Sequence, residues 1–210
     1  MTVTLLPGEK CRSAAITGTR RLPCVKRMAM NDETLLSPPS PWVCRFASLI
    51  PEAGQVLDIA CGRGRHSRYL AERGFQVTAV DKNEGALAAL TGTPGVSTLC
   101  ADLEGKAWPL GGRRFDGIII THYLWRPLLP LILAALEAGG VLIQETFMLG
   151  NQRFGKPSNP AFLLRPNELL EGVRQRLSVV AFEQGEVAHP RPAVVQRLCA
   201  VRGSVGKLPT

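Results

Sequence analysis

Gln55-Val56-Leu57-Asp58-Ile59-Ala60-Cys61-Gly62-Arg63-Gly64-Arg65-His66 decides the fold of this 210-residue chain. Apolar residues and one acid run into two closely spaced glycines. An amphipathic stretch follows, with Leu70 and Phe75 set among Arg, Glu and Tyr. An apolar run bounded by glycine reads as a buried strand, and the stretch behind it as a helix covering the sheet. Gly62 and Gly64 admit positive φ and let a ligand approach bare backbone. The helix start offers free N–H groups. Asp58 falls at the carboxyl end of the strand, where open α/β sheets take their ligands.

Spacing narrows the ligand. A dinucleotide-binding turn, G-x-G-x-x-G, needs a third glycine for close helix packing. Counted from Gly62, that position is Ser67. A carboxylate just before the turn repels a diphosphate but pairs with a cation. A second carboxylate, Asp81, ends the apolar run Val77-Thr78-Ala79-Val80, the place from which an acid grips both hydroxyls of a ribose. The implied ligand is a nucleoside with a cationic tail, and S-adenosylmethionine fits.

The run VLDIACGRGRHSRYLAERGFQVTAVDKNEGAL, residues 56–87, resembles motifs I and II of the class I S-adenosylmethionine-dependent methyltransferases. Within that group, CGRGRHSRYLAERGFQVTAVD most resembles the tellurite-resistance-type small methyltransferases. The resemblance covers positions 41–210. It implies an α/β fold: a Rossmann-like, seven-stranded, mostly parallel sheet with helices on both faces and the last strand antiparallel. It also implies that Asp102 bonds the adenine amino group and that Leu103 supplies a neighbouring backbone N–H; an ordinary loop cap is the alternative for Asp102. The candidate cofactor set is Asp58, Ala60, Cys61, Gly62, Gly64, His66, Asp81, Lys82, Asp102, Leu103 and Thr121. Cys61 reads as a small packing residue rather than a nucleophile.

Elements downstream follow the same alternation. Asn83 to Leu90 reads as a short helix capped by Asn83, Val96 to Cys100 as the third strand, and Phe115 to Ile120 as an apolar, central fourth strand. Thr121-His122-Tyr123-Leu124-Trp125-Arg126-Pro127 then lies at the ligand end of the sheet. His122 is either a general base, since its ordinary pKa lies near neutrality, or a hydrogen-bond partner of a backbone carbonyl. Tyr123 and Trp125 either wall a sulfonium through cation–π contact or pack in the core. Catalytic candidates are therefore His122 and Tyr123. Leu128 to Glu137 reads as a helix ended by Gly139-Gly140, Val141 to Phe147 as the fifth strand, with Glu145 placed to hold a substrate or a loop. Met148 to Pro166 is a long irregular stretch of the kind that roofs sites, with Arg153, Phe154, Lys156 and Asn159 as candidate roof residues. Asn167 to Arg174 reads as a helix, and Leu177 to Gln184 and Ala193 to Arg202 as the last strands.

Residues 1–40 lack a sustained period and read as a basic, largely disordered tail. They are Arg-rich and nearly free of acids, a composition shared with organelle transit peptides; Met28 and Met30 are alternative starting points. Pro41 opens a helix with Trp42, Phe46 and Leu49/Ile50 on one face. The formal charge is +8, of which residues 1–30 carry +5, leaving +3 for the rest. A basic tail beside a nearly balanced domain is weak support for a nucleic-acid partner. Cys11, Cys24, Cys44, Cys61, Cys100 and Cys199 form no C-x-x-C pair, so no zinc knuckle is indicated and no metal site is expected. Scattered cysteines without an apolar leader point to a reducing, cytoplasmic setting. Ile118 to Leu136 is broken by His122, Arg126, Pro127 and Pro130, so no membrane span is expected.

The activity these residues imply is in-line methyl transfer from S-adenosylmethionine, with a small-molecule acceptor favoured because no Asn-Pro-Pro-Tyr motif occurs and the one Pro-Cys pair, Pro23-Cys24, lies in the tail outside positions 41–210. The rivals are a nicotinamide-dependent oxidoreductase, opposed by Ser67 and Asp58, and a non-catalytic domain that binds the same cofactor. Oligomeric state is left open.

Overall fold

The computed structural model describes residues 37–105 and 107–206; the readings placed on residues 1–36 lie outside them. In chain order the elements are α1 (Pro41–Phe46), β1 (Gln55–Ile59), α2 (Arg65–Ala71), β2 (Gln76–Asp81), α3 (Glu84–Leu87), β3 (Val96–Cys100), β4 (Phe115–Thr121), α4 (Leu129–Ala135), β5 (Leu136–Phe147), α5 (Glu168–Val173), β6 (Ser178–Val187) and β7 (Ala193–Val201). The sheet has seven strands in the order β3-β2-β1-β4-β5-β7-β6. Strands β1 to β5 pair in parallel, and β7 runs antiparallel to both neighbours. The expected Rossmann-like sheet is thus present, with the last strand reversed.

Strand alternation assigns the faces. Leu57, Ile59, Ile118, Ile120 and Leu142 pack in one core with Ile132, Leu133, Leu169 and Val173 from α4 and α5. Val56, Ile119, Val141 and Ile143 pack in a second with Trp42, Phe46 and Leu70 from α1 and α2. Full burial of each such side chain contributes about 1.5–3 kcal/mol. β1 is covered on both faces, which is why it reads as an almost unbroken apolar run. The exception, Asp58, lies on the α2 side. β3 is an edge strand and carries Ser97 and Thr98 exposed. Winding reverses between β1 and β4, and the crevice at such a reversal, outside the carboxyl ends, is where α/β sheets bind ligands.

One boundary departs from expectation. The helix after Pro127 ends at Ala135, and β5 begins at Leu136 rather than after the Gly139-Gly140 pair. Leu136 pairs with Phe115, the register then slips, and Val141 pairs with Gly117. Gly139 sits at φ 78°, and the segment bonds β7 through Gly139 N–H to the Arg202 carbonyl at 2.7 Å. The glycines therefore bend a strand instead of ending a helix. Among the described residues, no helix is long and apolar enough to cross a membrane.

Candidate functional site

The turn after β1 is built by left-handed backbone. Ala60, Gly62 and Gly64 have φ of 53°, 56° and 78°. A non-glycine residue there is strained, a state that persists where surroundings over-determine it. The two glycines differ. A side chain at Gly64 would run into Leu90, so Gly64 lets α2 pack on that residue; above Gly62 there is open space. Gly62 is the bare surface on which a ligand can lie, and Gly64 shapes the turn beneath it.

Asp58 is 1% exposed. Its Oδ2 accepts from the Ser67 hydroxyl at 2.6 Å; its Oδ1 is buried without a partner. Burial raises its pKa from 3.8 to about 7, against the opposing pull of the Ser67 bond and Arg65. An orphan carboxylate oxygen is costly unless something cationic meets it. Across the turn, Asp81 Oδ2 accepts from Gly62 N–H at 2.8 Å and Oδ1 from Asn83 N–H at 2.9 Å. A carboxylate has about four acceptor positions, so each Asp81 oxygen keeps capacity for a hydroxyl. Ala60, Asp81, Lys82, Ala101, Asp102, Leu103, Glu104 and Tyr123 line one cleft of about 220 Å³. Asp102 Oδ1 accepts from Glu104 N–H at 3.0 Å, so it caps its own turn and also lines the cleft. Cys61 is buried, and burial and the Asp58 and Asp81 charges push its thiol up; it is a packing residue without thiolate character.

His66 takes a different place from a ligand-contacting residue. It is 1% exposed. Its Nε2 accepts from Ser40 N–H at 3.0 Å, and Nδ1 lies 3.3 Å from the Thr121 hydroxyl. The first bond makes Nε2 the acceptor and therefore puts the ring proton on Nδ1. Both nitrogens of His66, and the Thr121 hydroxyl, are thus committed to one another and to Ser40. Burial and the neighbouring Arg65 and His122 hold His66 neutral, lowering its pKa to about 3. Ser40 also donates to Glu145 Oε1 at 3.2 Å and caps α1 through Trp42 N–H. Glu145 pairs with Arg197 at 2.6 Å. Ser40, Glu145 and Arg197 tie the chain before α1 to the carboxyl end of β5 and to β7.

Alternation on β5 sends Glu145 to that polar cluster and Gln144 to the opposite face, beside Ile120. There a second cavity of about 360 Å³ opens, lined by Tyr123, Leu124, Leu128, Ile132, Gln144, Leu164, Glu168 and others from α4 and α5. Tyr123 belongs to both linings, so it is the wall between cleft and cavity. Its hydroxyl is buried near the Glu104 carboxylate but makes no well-formed hydrogen bond; burial and the Glu104 and Asp102 charges push its pKa up, so it stays protonated. His122, at φ 54°, stacks on Phe147 at 4.9 Å with Nε2 3.9 Å from Glu145. It lines neither space. Burial, then the nearby Arg65, lowers its pKa. The expected roof is also displaced: Arg153 pairs with Glu186, while Leu164, Arg165 and Glu168 line the cavity. Arg126 fastens this end of the loop by bonding Glu168 at 2.5 Å and the Ala161 and Leu163 carbonyls at 2.8 and 2.9 Å. Sequence reasoning missed Gln144, Arg126 and Glu168. Only Gln144 carried a signal, as a polar break in Val141-Leu142-Ile143. Among the described residues no His, Cys, Asp and Glu group is arranged to hold a metal.

Residues 56–140 match the family model of a methyltransferase domain. This segment is similar to S-adenosylmethionine-dependent methyltransferases. TehB of Haemophilus influenzae, named as an S-adenosylmethionine-dependent methyltransferase, is 49% identical over 39 residues, covering 19% of this chain and 14% of TehB. YqeM of Bacillus subtilis, named as a methyltransferase, is 42% identical over 52 residues, covering 25% of this chain and 21% of YqeM. The match to the methyltransferase domain therefore spans under a quarter of either relative. In overall shape the domain resembles the crystal structure of TehB, with a TM-score of 0.64 at 23% identity over 77% of this chain and 61% of that one. It also resembles the Burkholderia thailandensis 1,6-didemethyltoxoflavin-N1-methyltransferase, solved with S-adenosylhomocysteine, with a TM-score of 0.56 at 24% identity over 78% and 76% of the two chains.

Proposed function

We propose that this protein transfers the methyl group of S-adenosylmethionine to a small molecule held beyond Tyr123. One observation carries the reading: the buried, unpartnered Asp58 oxygen, the open face of Gly62 and the Asp81–Asp102 cleft follow one another along the carboxyl ends of β1, β2 and β3. In this reading Asp58 Oδ1 takes the ammonium of the cofactor, and its burial gives that pairing the strength of a charge-assisted bond. Asp81 takes the ribose hydroxyls while anchoring Gly62. Ala60, Asp102 and Leu103 flank the base. Lys82 lies at the rim. His66 and Thr121 are positioning residues, holding the first turn of α2 and the segment at Ser40 in register.

Bound S-adenosylmethionine supplies an electrophilic methyl on a sulfonium that leaves as a neutral thioether. The chain aligns the two reactants and excludes water, which is the main requirement when the leaving group is already activated. Tyr123 stays protonated, so it serves as a wall and hydrogen-bond donor. His122 is neutral but lines neither space, so a role as base requires movement of the loop after β4.

Calorimetry and thermal shift with S-adenosylhomocysteine and with NADH test the cofactor assignment. The reading expects heat and stabilisation with the first and neither with the second; the reverse would replace it with the oxidoreductase. Mass-spectrometric detection of a methylated product from a metabolite mixture separates an enzyme from a domain that only binds.

A further inference from the structure

We infer that the cavity between α4 and α5 takes a neutral, largely apolar ring compound whose nucleophile is an uncharged nitrogen, and that it does not take an oxyanion. The inference rests on the methyl-transfer reading above and names its acceptor. Three observations support it. The walls are apolar: Ile120, Leu124, Leu128, Ile132, Leu164 and Leu169. A volume of about 360 Å³ lies at the small end of small-molecule pockets. The second observation concerns charge. Arg126 is the cation an anion would seek, but Glu168 and two carbonyls occupy its guanidinium. Arg165 also leans on Glu168 and is otherwise exposed. With Glu171 also lining the cavity, two cations face two acids, and no net positive charge is left for an anion.

The third observation is the placement of polar groups. Tyr123 contributes a buried hydroxyl with no well-formed hydrogen bond, and it stands on the wall shared with the cofactor cleft. Gln144 contributes an amide beside Ile120. A buried, unpaired hydroxyl is costly and marks where a ligand atom completes the bond. These two groups orient one polar atom on an otherwise apolar molecule. Neither removes a proton: one is an amide and the other a phenol. Glu168 is engaged with Arg126, Glu171 is exposed to solvent at the rim, and His122 lies outside the lining. The nucleophile must therefore arrive with its lone pair available at neutral pH, as an aromatic amine or a ring nitrogen does. Its lone pair forms the new nitrogen–carbon bond, the carbon–sulfur bond breaks with its electron pair on sulfur, and any proton on the resulting cation passes to water. A ring nitrogen that bears no proton keeps the positive charge.

The test uses the full chain saturated with S-adenosylhomocysteine and the fluorescent neutral amine N-phenyl-1-naphthylamine as probe. The probe is expected to bind with enhanced emission and to be displaced by isoquinoline but not by sodium selenite. Leu124→Trp and, separately, Ile132→Phe fill the cavity and should weaken the probe about tenfold or more, with S-adenosylhomocysteine affinity unchanged. If either variant folds, binds S-adenosylhomocysteine normally and holds the probe as tightly as the parent, the cavity assignment fails. Displacement by selenite overturns the charge assignment. Absence of heat from S-adenosylhomocysteine on the parent chain overturns the cofactor reading itself, which the probe titration alone does not touch.

Discussion

Cofactor affinity should climb with pH through neutrality, because Asp58 must ionise to receive the ammonium. Without ligand, burial raises its pKa from 3.8 to about 7, and Ser67 satisfies only one of its oxygens. A bound ammonium favours the charged form and draws the pKa back down. Below pH 7 each unit of acidity therefore costs about tenfold in affinity, and above pH 8 the affinity levels off. Binding must also expel the proton: about one per ligand at pH 6 and about half at pH 7. Titrating S-adenosylhomocysteine by calorimetry at pH 6, 7 and 8, in buffers of different ionisation enthalpy, reads both quantities. Asp58→Asn should bind about 10–100-fold more weakly at pH 8, the worth of a hydrogen bond to a charged group, and its affinity should be flat across the range. A parent protein with constant affinity from pH 6 to 8 and no proton release would refute the assignment of the orphan oxygen to the ammonium.

Other perturbations separate the scaffold from the site. Gly64→Ala meets Leu90 and forces φ 78° on a side chain; it should lower stability by about 1–3 kcal/mol, read as a drop in urea midpoint at constant slope. His66 is neutral when folded, with a pKa of about 3 against an ordinary 6.5. Its contribution is therefore complete above pH 6.5 and disappears as pH falls towards 3, so between pH 7 and 4 the parent should lose more stability than His66→Phe. Arg126→Ala removes the clasp on Glu168, Ala161 and Leu163 and should cost roughly 1–3 kcal/mol, seen as a lower Tm, with S-adenosylhomocysteine binding preserved because the clasp lies outside the cofactor cleft.

The fold could be read from the chain because each inner strand announces itself. Val56-Leu57 and Ile118-Ile119-Ile120 are apolar on both faces, and turn residues bound them. The placement of the candidate residues was equally open to reading, since Asp58, Gly62 and Asp81 owe their places to strand ends in one βαβ unit. The polar partners were not. His66 directly follows the glycine turn and looks like a ligand residue, but its bonds to Ser40 and Thr121 span 26 and 55 positions of the chain, and no local pattern reports a pairing so distant. Similarly, Gln144 and Glu145 are neighbours in sequence but face opposite sides of the sheet, and only the register with Ile120 and Thr121 shows which one meets the cavity. The Gly139-Gly140 pair misled for a physical reason: glycine ends a helix and bends a strand through the same left-handed backbone, and the choice was made by pairing with Arg202.

The decisive measurement is the affinity of S-adenosylhomocysteine for the purified parent chain and for Asp81→Asn, at pH 8. The socket described here predicts one bound molecule per parent chain and a loss of about tenfold or more in the variant, from weakened acceptance of the ribose hydroxyls. A correctly folded parent that gives no heat, or a variant that binds as tightly as the parent, would contradict it.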